Sequence, residues 1–170
     1  FGFEQYWWLF ASCGLVYAVQ SELSLRRKSA GTYGVFMVGT VILLTWTGAK
    51  IFSPPWDALS WMGLSLGILF YGMKRSHFLP RMLAHLLLLC AYGKTWFFTA
   101  TGDQMIPIGN WVVSMGAIPS LIGALLLFGH AAISFRLPNE NQDEKRAVLF
   151  LFPWMGAAAL AVSLMVYSPS

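Results

Sequence analysis

The sequence predicts an all-α integral membrane protein, an up-and-down bundle of about six transmembrane helices joined by short loops. Three observations point there. Only 11% of the 170 residues are charged while 57% are hydrophobic, and the mean hydropathy is +0.62. A water-facing domain carries charge at roughly a quarter of its positions, so a chain this poor in charge is built to face lipid. Polar clusters then cut the sequence into apolar segments long enough to cross a bilayer, and basic residues fall in every second connection.

The segments run in order as follows. The first, 3–20, ends in Ser21-Glu22-Leu23-Ser24-Leu25-Arg26-Arg27-Lys28. The second, 32–52, is stopped by Ser53-Pro54-Pro55, and the third, 58–73, by Lys74-Arg75-Ser76-His77. The fourth, 82–100, ends at Thr101-Gly102-Asp103. The fifth, 111–135, ends at Arg136-Leu137-Pro138, and the sixth, 147–167, follows the hydrophilic stretch 139–146. A spanning helix needs about 20 residues at 1.5 Å rise. Segments two, four, five and six meet that length. Segments one and three are shorter and reach by tilting, with five spans as the alternative count. No connection is long enough for a soluble domain, so residues 1–170 are read as one polytopic transmembrane domain.

Orientation follows from the loops. Arg26, Arg27 and Lys28, then Lys74, Arg75 and Arg81, then Arg136, Lys145 and Arg146 alternate with weakly charged connections around Asp57 and Asp103. The positive-inside rule places the basic loops in the cytoplasm and both termini opposite. Most tryptophans fall near segment ends, as an interfacial belt requires. The start of the chain, with Glu4 ahead of the apolar run and no basic n-region, does not read as a signal peptide. The formal net charge of +4 is accounted for by these loops, and no basic stretch interleaved with aromatics suggests nucleic acid. Cys13 and Cys90 lie in apolar stretches without a CxxC pattern and read as buried small hydrophobes.

Lys50 and Lys94 stand at the ends of segments two and four. An ionisable group in a span is a functional hypothesis by default, and a transport pathway would use it. Snorkelling of the stem to the interface accounts for both without function. Pro119 and Pro153 fall inside segments five and six and would break those helices, freeing carbonyls of the kind that line transporter sites. His85 and His130 sit at similar shallow depth on different helices, one requirement for a haem or other tetrapyrrole, or a quinone. Neither has an acidic neighbour in sequence, and no hydrolase or metalloprotease motif occurs. No catalytic residue, metal or certain cofactor is therefore expected. Gly63-Leu64-Ser65-Leu66-Gly67 fits the small-xxx-small pattern of close helix packing, within the bundle or against a neighbouring subunit. Lys50 followed by Asp57, and Lys94 followed by Asp103, suggest a duplicated hairpin of period about 45, an echo that any alternating hairpin protein also gives.

The stretch Trp46, Lys50, Phe52, Pro54, Pro55, Trp61 is similar to the Trp-, Lys- and Pro-rich region of the tryptophan-rich translocator family. The spacings differ, Lys50 is followed by Ile51 instead of Pro, and a leading span is added, so no ligand-binding residue carries over. The functional expectation is a non-catalytic integral subunit of a larger energy-transducing or transport assembly, in contact with lipid and other membrane subunits. The alternatives are a small oligomeric solute or ion transporter or channel, and a tetrapyrrole- or quinone-binding membrane protein.

Overall fold

The computed structural model describes residues 6–54, 56–101, 105–108, 111–114, 117–136 and 142–167. They form six helices and one small hairpin: α1 (Trp7–Arg26), α2 (Ala30–Ile51), α3 (Trp56–Lys74), α4 (Phe78–Thr101), β1 (Met105–Ile108), β2 (Trp111–Ser114), α5 (Ala117–Ser134) and α6 (Gln142–Tyr167). Each helix holds the greater part of one expected apolar segment. Glu4 and Asp103 lie outside the described residues, so the second half of the Lys–Asp echo does too.

The turns explain why the helices pair as hairpins. At the end of α1 the N–H of Lys28 bonds Leu25 O and that of Ser29 bonds Ser24 O. At the end of α3 the N–H of Ser76 bonds Met73 O and that of His77 bonds Gly72 O. Lys28 and Ser76 hold φ of 58° and 55°, the left-handed conformation that closes a Schellman cap and reverses the chain. At the end of α5 the N–H of Arg136 bonds Ile133 O in the same fashion. A backbone turn of one kind thus recurs at the ends of α1 and α3, a feature separate from the Lys–Asp echo of the sequence.

The hairpins α1–α2, α3–α4 and α5–α6 stand side by side, with α3–α4 in the middle. One face of this central pair packs on α2 through Tyr33, Met37, Val41, Ile68, Leu69, Ala84 and Leu87. The other packs on α5 and α6 through Met62, Leu88, Ala91, Leu127, Ala131, Val148 and Phe152. Helix α1 buries only Gly14, Ser21 and Ser24. It hugs α2 because Gly39 takes the Tyr17 ring where a Cβ would come within 2.5 Å of it.

Three expectations are corrected, and one of two alternatives is set aside. The fifth segment does not begin as a helix: residues 111–114 pair antiparallel with 105–108, Met105 opposite Ser114 and Ile108 opposite Trp111. Gly109-Asn110 between two β-prone runs is the dipeptide type that closes two-residue hairpins. Pro119 consequently falls in the first turn of α5, where the N–H it lacks has no helical partner anyway, so it breaks nothing. Pro153 does lie inside α6 and deprives the Leu149 carbonyl of its partner. Cys13 and Cys90 are exposed: they face outward from the bundle. The Gly63 and Gly67 stripe meets no other helix of this chain, since a Cβ at either would have nothing within 4 Å.

The outward faces of the helices are apolar. Val35, Phe70, Phe150 and Trp154 are 68%, 64%, 70% and 67% exposed. By length and composition, one helix among the described residues, α2, is apolar enough to cross a membrane, and the apolar part of α5, Ile118–Ser134, is shorter. In α1 and α3, Trp, Tyr, Gly and Ser take the places of aliphatic residues.

Candidate functional site

The end of the molecule that holds the basic turns also holds a buried chain of ionisable side chains. Arg81 and His85 are one turn apart on α4, Glu144 opens α6, and His130 lies near the end of α5. Gly72 on α3 makes room for this corner, since a Cβ there would come within 3.0 Å of the Arg81 backbone nitrogen. Arg81 Nε donates to both carboxylate oxygens of Glu144, at 2.9 and 3.1 Å. His85 Nε2 lies 3.1 Å from Glu144 Oε1, and His85 Nδ1 lies 2.9 Å from His130 Nε2. The Phe152 ring abuts both imidazoles, with centroids 5.9 and 5.0 Å away. Arg81 and Glu144 are only 3% and 8% exposed, and His130 is fully buried.

These contacts order the protons. A Glu144 carboxylate held by Arg81 only accepts, so His85 donates from Nε2 and, when neutral, accepts at Nδ1. His130 must then donate from Nε2, which leaves its Nδ1 as an acceptor. That atom is buried and has no hydrogen-bond partner among the described residues, and neither has Ser134 Oγ one turn further on. A proton taken up at His130 Nδ1 lets the Nε2 proton pass to His85 Nδ1, giving an imidazolium beside the carboxylate. The row can thus pass a proton from His130 to His85 by hydrogen-bond exchange, its Glu144 end being held by Arg81.

The sequence reading placed His85 and His130 at one depth, and the structure brings them into contact. It also gives His85 an acidic neighbour in space that it lacks in sequence, because Glu144, 59 residues on, folds back to it. As tetrapyrrole ligands they are placed tightly. Two metal–nitrogen bonds of about 2 Å each would hold axial nitrogens about 4 Å apart, and both His85 nitrogens already have protein partners.

Lys50 and Lys94 also come together. They line a cleft of about 570 Å³ with Thr45, Trp46 and Trp61. Lys94 forms an ion pair with Asp57 and sits 4.4 Å over the Trp61 ring, while Trp61 Nε1 donates to Thr45 O at 2.9 Å. Asp57 is buried, 2% exposed, and caps α3 by accepting from Ala58 N at 2.7 Å. It is an anchored charge at a helix N-terminus, not the loop residue it resembled in sequence. Lys50 has no ion-pair partner among the described residues. The cleft is walled by α2, α3 and α4 alone, so Pro119 and Pro153 do not share a pathway with the two lysines.

A third cluster went unread in the sequence. Glu22 accepts from the Tyr71 hydroxyl at 2.8 Å and pairs with Arg26 and Arg75. The Tyr71 hydrogen bond, with the two guanidinium groups, holds the Glu22 carboxyl below its ordinary value. Spacing carried a signal for parts of these sites, Arg81-x-x-x-His85 and His130-x-x-x-Ser134 each lying on one helix face. Nothing local marked Glu144. No known protein family, no curated protein and no solved structure matches the chain.

Proposed function

We propose that this chain is a multi-pass integral membrane protein with α1 to α6 as its spans, the basic turns cytoplasmic and both termini opposite. It serves as a non-catalytic integral subunit of a transport or energy-transducing membrane assembly, and it handles protons there through the His130–His85–Glu144–Arg81 row. The outward apolar faces support the membrane setting, as does the gathering of basic turns at one end, where Arg75 reaches Glu22 and Lys145 lies 4.6 Å over the Phe135 ring.

The observation that carries the reading is the buried row itself. Ionisable groups within spans are costly and mark proton relays and ion pathways. This one couples α4, α5 and α6 and ends on an unsatisfied nitrogen. A purely structural ion pair of Arg81 and Glu144 would need neither histidine.

Mild-detergent extraction from the native membrane, followed by reconstitution of whatever co-migrates, tests it. The expected result is stoichiometric partner chains and a proton flux that His85→Gln suppresses. A lone species, with the same proton permeability in wild type and His85→Gln, sinks the proposal.

A second reading, a small solute transporter, is favoured by the Lys50 and Lys94 cleft. Solute flux that disappears in Lys50→Ala while surviving His85→Gln would move the function to that end.

A further inference from the structure

A groove opens where α1 leans away from α3. Its apolar half, about 670 Å³, is walled by Ala18, Val19 and Leu23 of α1 and by Leu64, Gly67 and Ile68 of α3. Its polar half, about 560 Å³, lies among the turns at Arg26, Lys28, Ser29, Arg75 and His77. The two halves meet, since Glu22, Arg26 and Arg75 line both. The space over Gly67 is empty of protein, because a Cβ there would have nothing within 4 Å.

Charge decides what suits this shape. Arg26, Lys28 and Arg75 face one carboxylate, Glu22, so the polar half keeps an excess of two positive charges. The guanidinium groups of Arg26 and Arg75 are 71% and 44% exposed, and each keeps donors free after its bond to Glu22. An apolar trough that ends in uncompensated arginine and lysine at the membrane face is the shape and charge of an anionic phospholipid.

We infer that the groove between α1 and α3 holds one anionic phospholipid, its phosphate on Arg26, Lys28 and Arg75 and an acyl chain over Gly67. The inference rests on the membrane reading above. It adds a specific lipid site that neither the proton row nor the lysine cleft requires. The bare glycine stripe is then a seat for a lipid chain.

The test uses the full chain in phosphatidylcholine vesicles that contain a minor fraction of spin-labelled phosphatidylglycerol or spin-labelled phosphatidylcholine. The motionally restricted fraction of each label reports its retention at the protein. The expected result is a preference for phosphatidylglycerol that falls about five-fold in Lys28→Gly, roughly the effect of one cation near the membrane surface. Glycine suits the positive φ at that turn, so the change leaves the fold intact. Gly67→Leu, whose side chain enters the open groove, abolishes the preference, whereas added inorganic phosphate leaves it unchanged.

Equal retention of the two labels by an inserted wild-type chain overturns the inference while the membrane reading stands. Displacement by inorganic phosphate overturns it in favour of a soluble anion. Loss of a dimer in Gly67→Leu without a headgroup preference would make a second copy the occupant. A chain that does not float with the vesicles removes both readings.

Discussion

The two ends of α4 carry buried charge in opposite ways. At the basic end, Arg81, Glu144, His85 and His130 form a row drawn from three helices. Nine residues along, about 14 Å at 1.5 Å per residue, Lys94 meets Asp57 beside the Trp61 ring. Met62, Leu88, Leu127 and Phe152 fill the space between the ends and are all but fully buried. The first cluster contains two imidazoles in contact and ends on a buried nitrogen that has no hydrogen-bond partner among the described residues. The second is an ion pair of ammonium and carboxylate, its lysine on the wall of a cleft and still 24% exposed. Buried charge by itself therefore does not mark the functional end. The marker is a titratable group whose hydrogen bonds do not close.

That contrast has a thermodynamic side. Arg81→Leu leaves the Glu144 carboxylate buried without its cation and is expected to cost about 3–5 kcal/mol, read as a lowered midpoint of unfolding in detergent. Adding Glu144→Gln should restore much of that loss. A cost under about 1 kcal/mol would mean that water reaches the row, and the contrast with the other end would disappear.

Lys94→Ala is expected to cost less, about 1–3 kcal/mol. Asp57 keeps the Ala58 N–H, and the cleft beside Lys94 admits water or headgroups. Equal losses in Arg81→Leu and Lys94→Ala would show that the two pairs differ in composition only.

The smallest effect belongs to Glu22. Its carboxyl titrates below the ordinary value, so its contribution to stability is complete above the unfolded-state pKa and is lost as pH falls through the lowered folded one. Glu22→Gln should lower stability slightly at neutral pH, where that contribution is complete, and flatten the acid limb, so that the two unfolding profiles converge in acid. An acid limb identical to wild type would place the acid sensitivity elsewhere.

Much of the fold was legible because long apolar runs bounded by polar clusters announce helices by themselves. The six apolar segments, the basic connections and the pairing into hairpins all follow from local runs of residues. The strands at 105–108 and 111–114 escaped because Trp111, Val112 and Val113 read equally well as the start of an apolar helix. Pro119 was misplaced for the same reason: its meaning depends on whether the helix starts before it or with it.

The site was legible only in halves. His85 and His130 stood out as histidines at matching depth, yet Glu144 belonged to a hydrophilic stretch that looked like a loop, and Asp57 followed a pair of prolines that looked like another. Both are first-turn residues of helices, where a carboxylate caps the N-terminus and still reaches a neighbouring helix.

Sequence alone determined the helical segments, the charge-poor surface and the alternation of basic turns, because each depends on residues close together in the chain. Only the tertiary structure decided that Glu144 serves His85, that Lys94 serves Asp57, and that the Gly67 face stays bare. Those depend on which helices lie side by side and how closely. That is set by how the whole bundle packs, down to a glycine such as Gly72 that lets Arg81 in, and no local pattern encodes it.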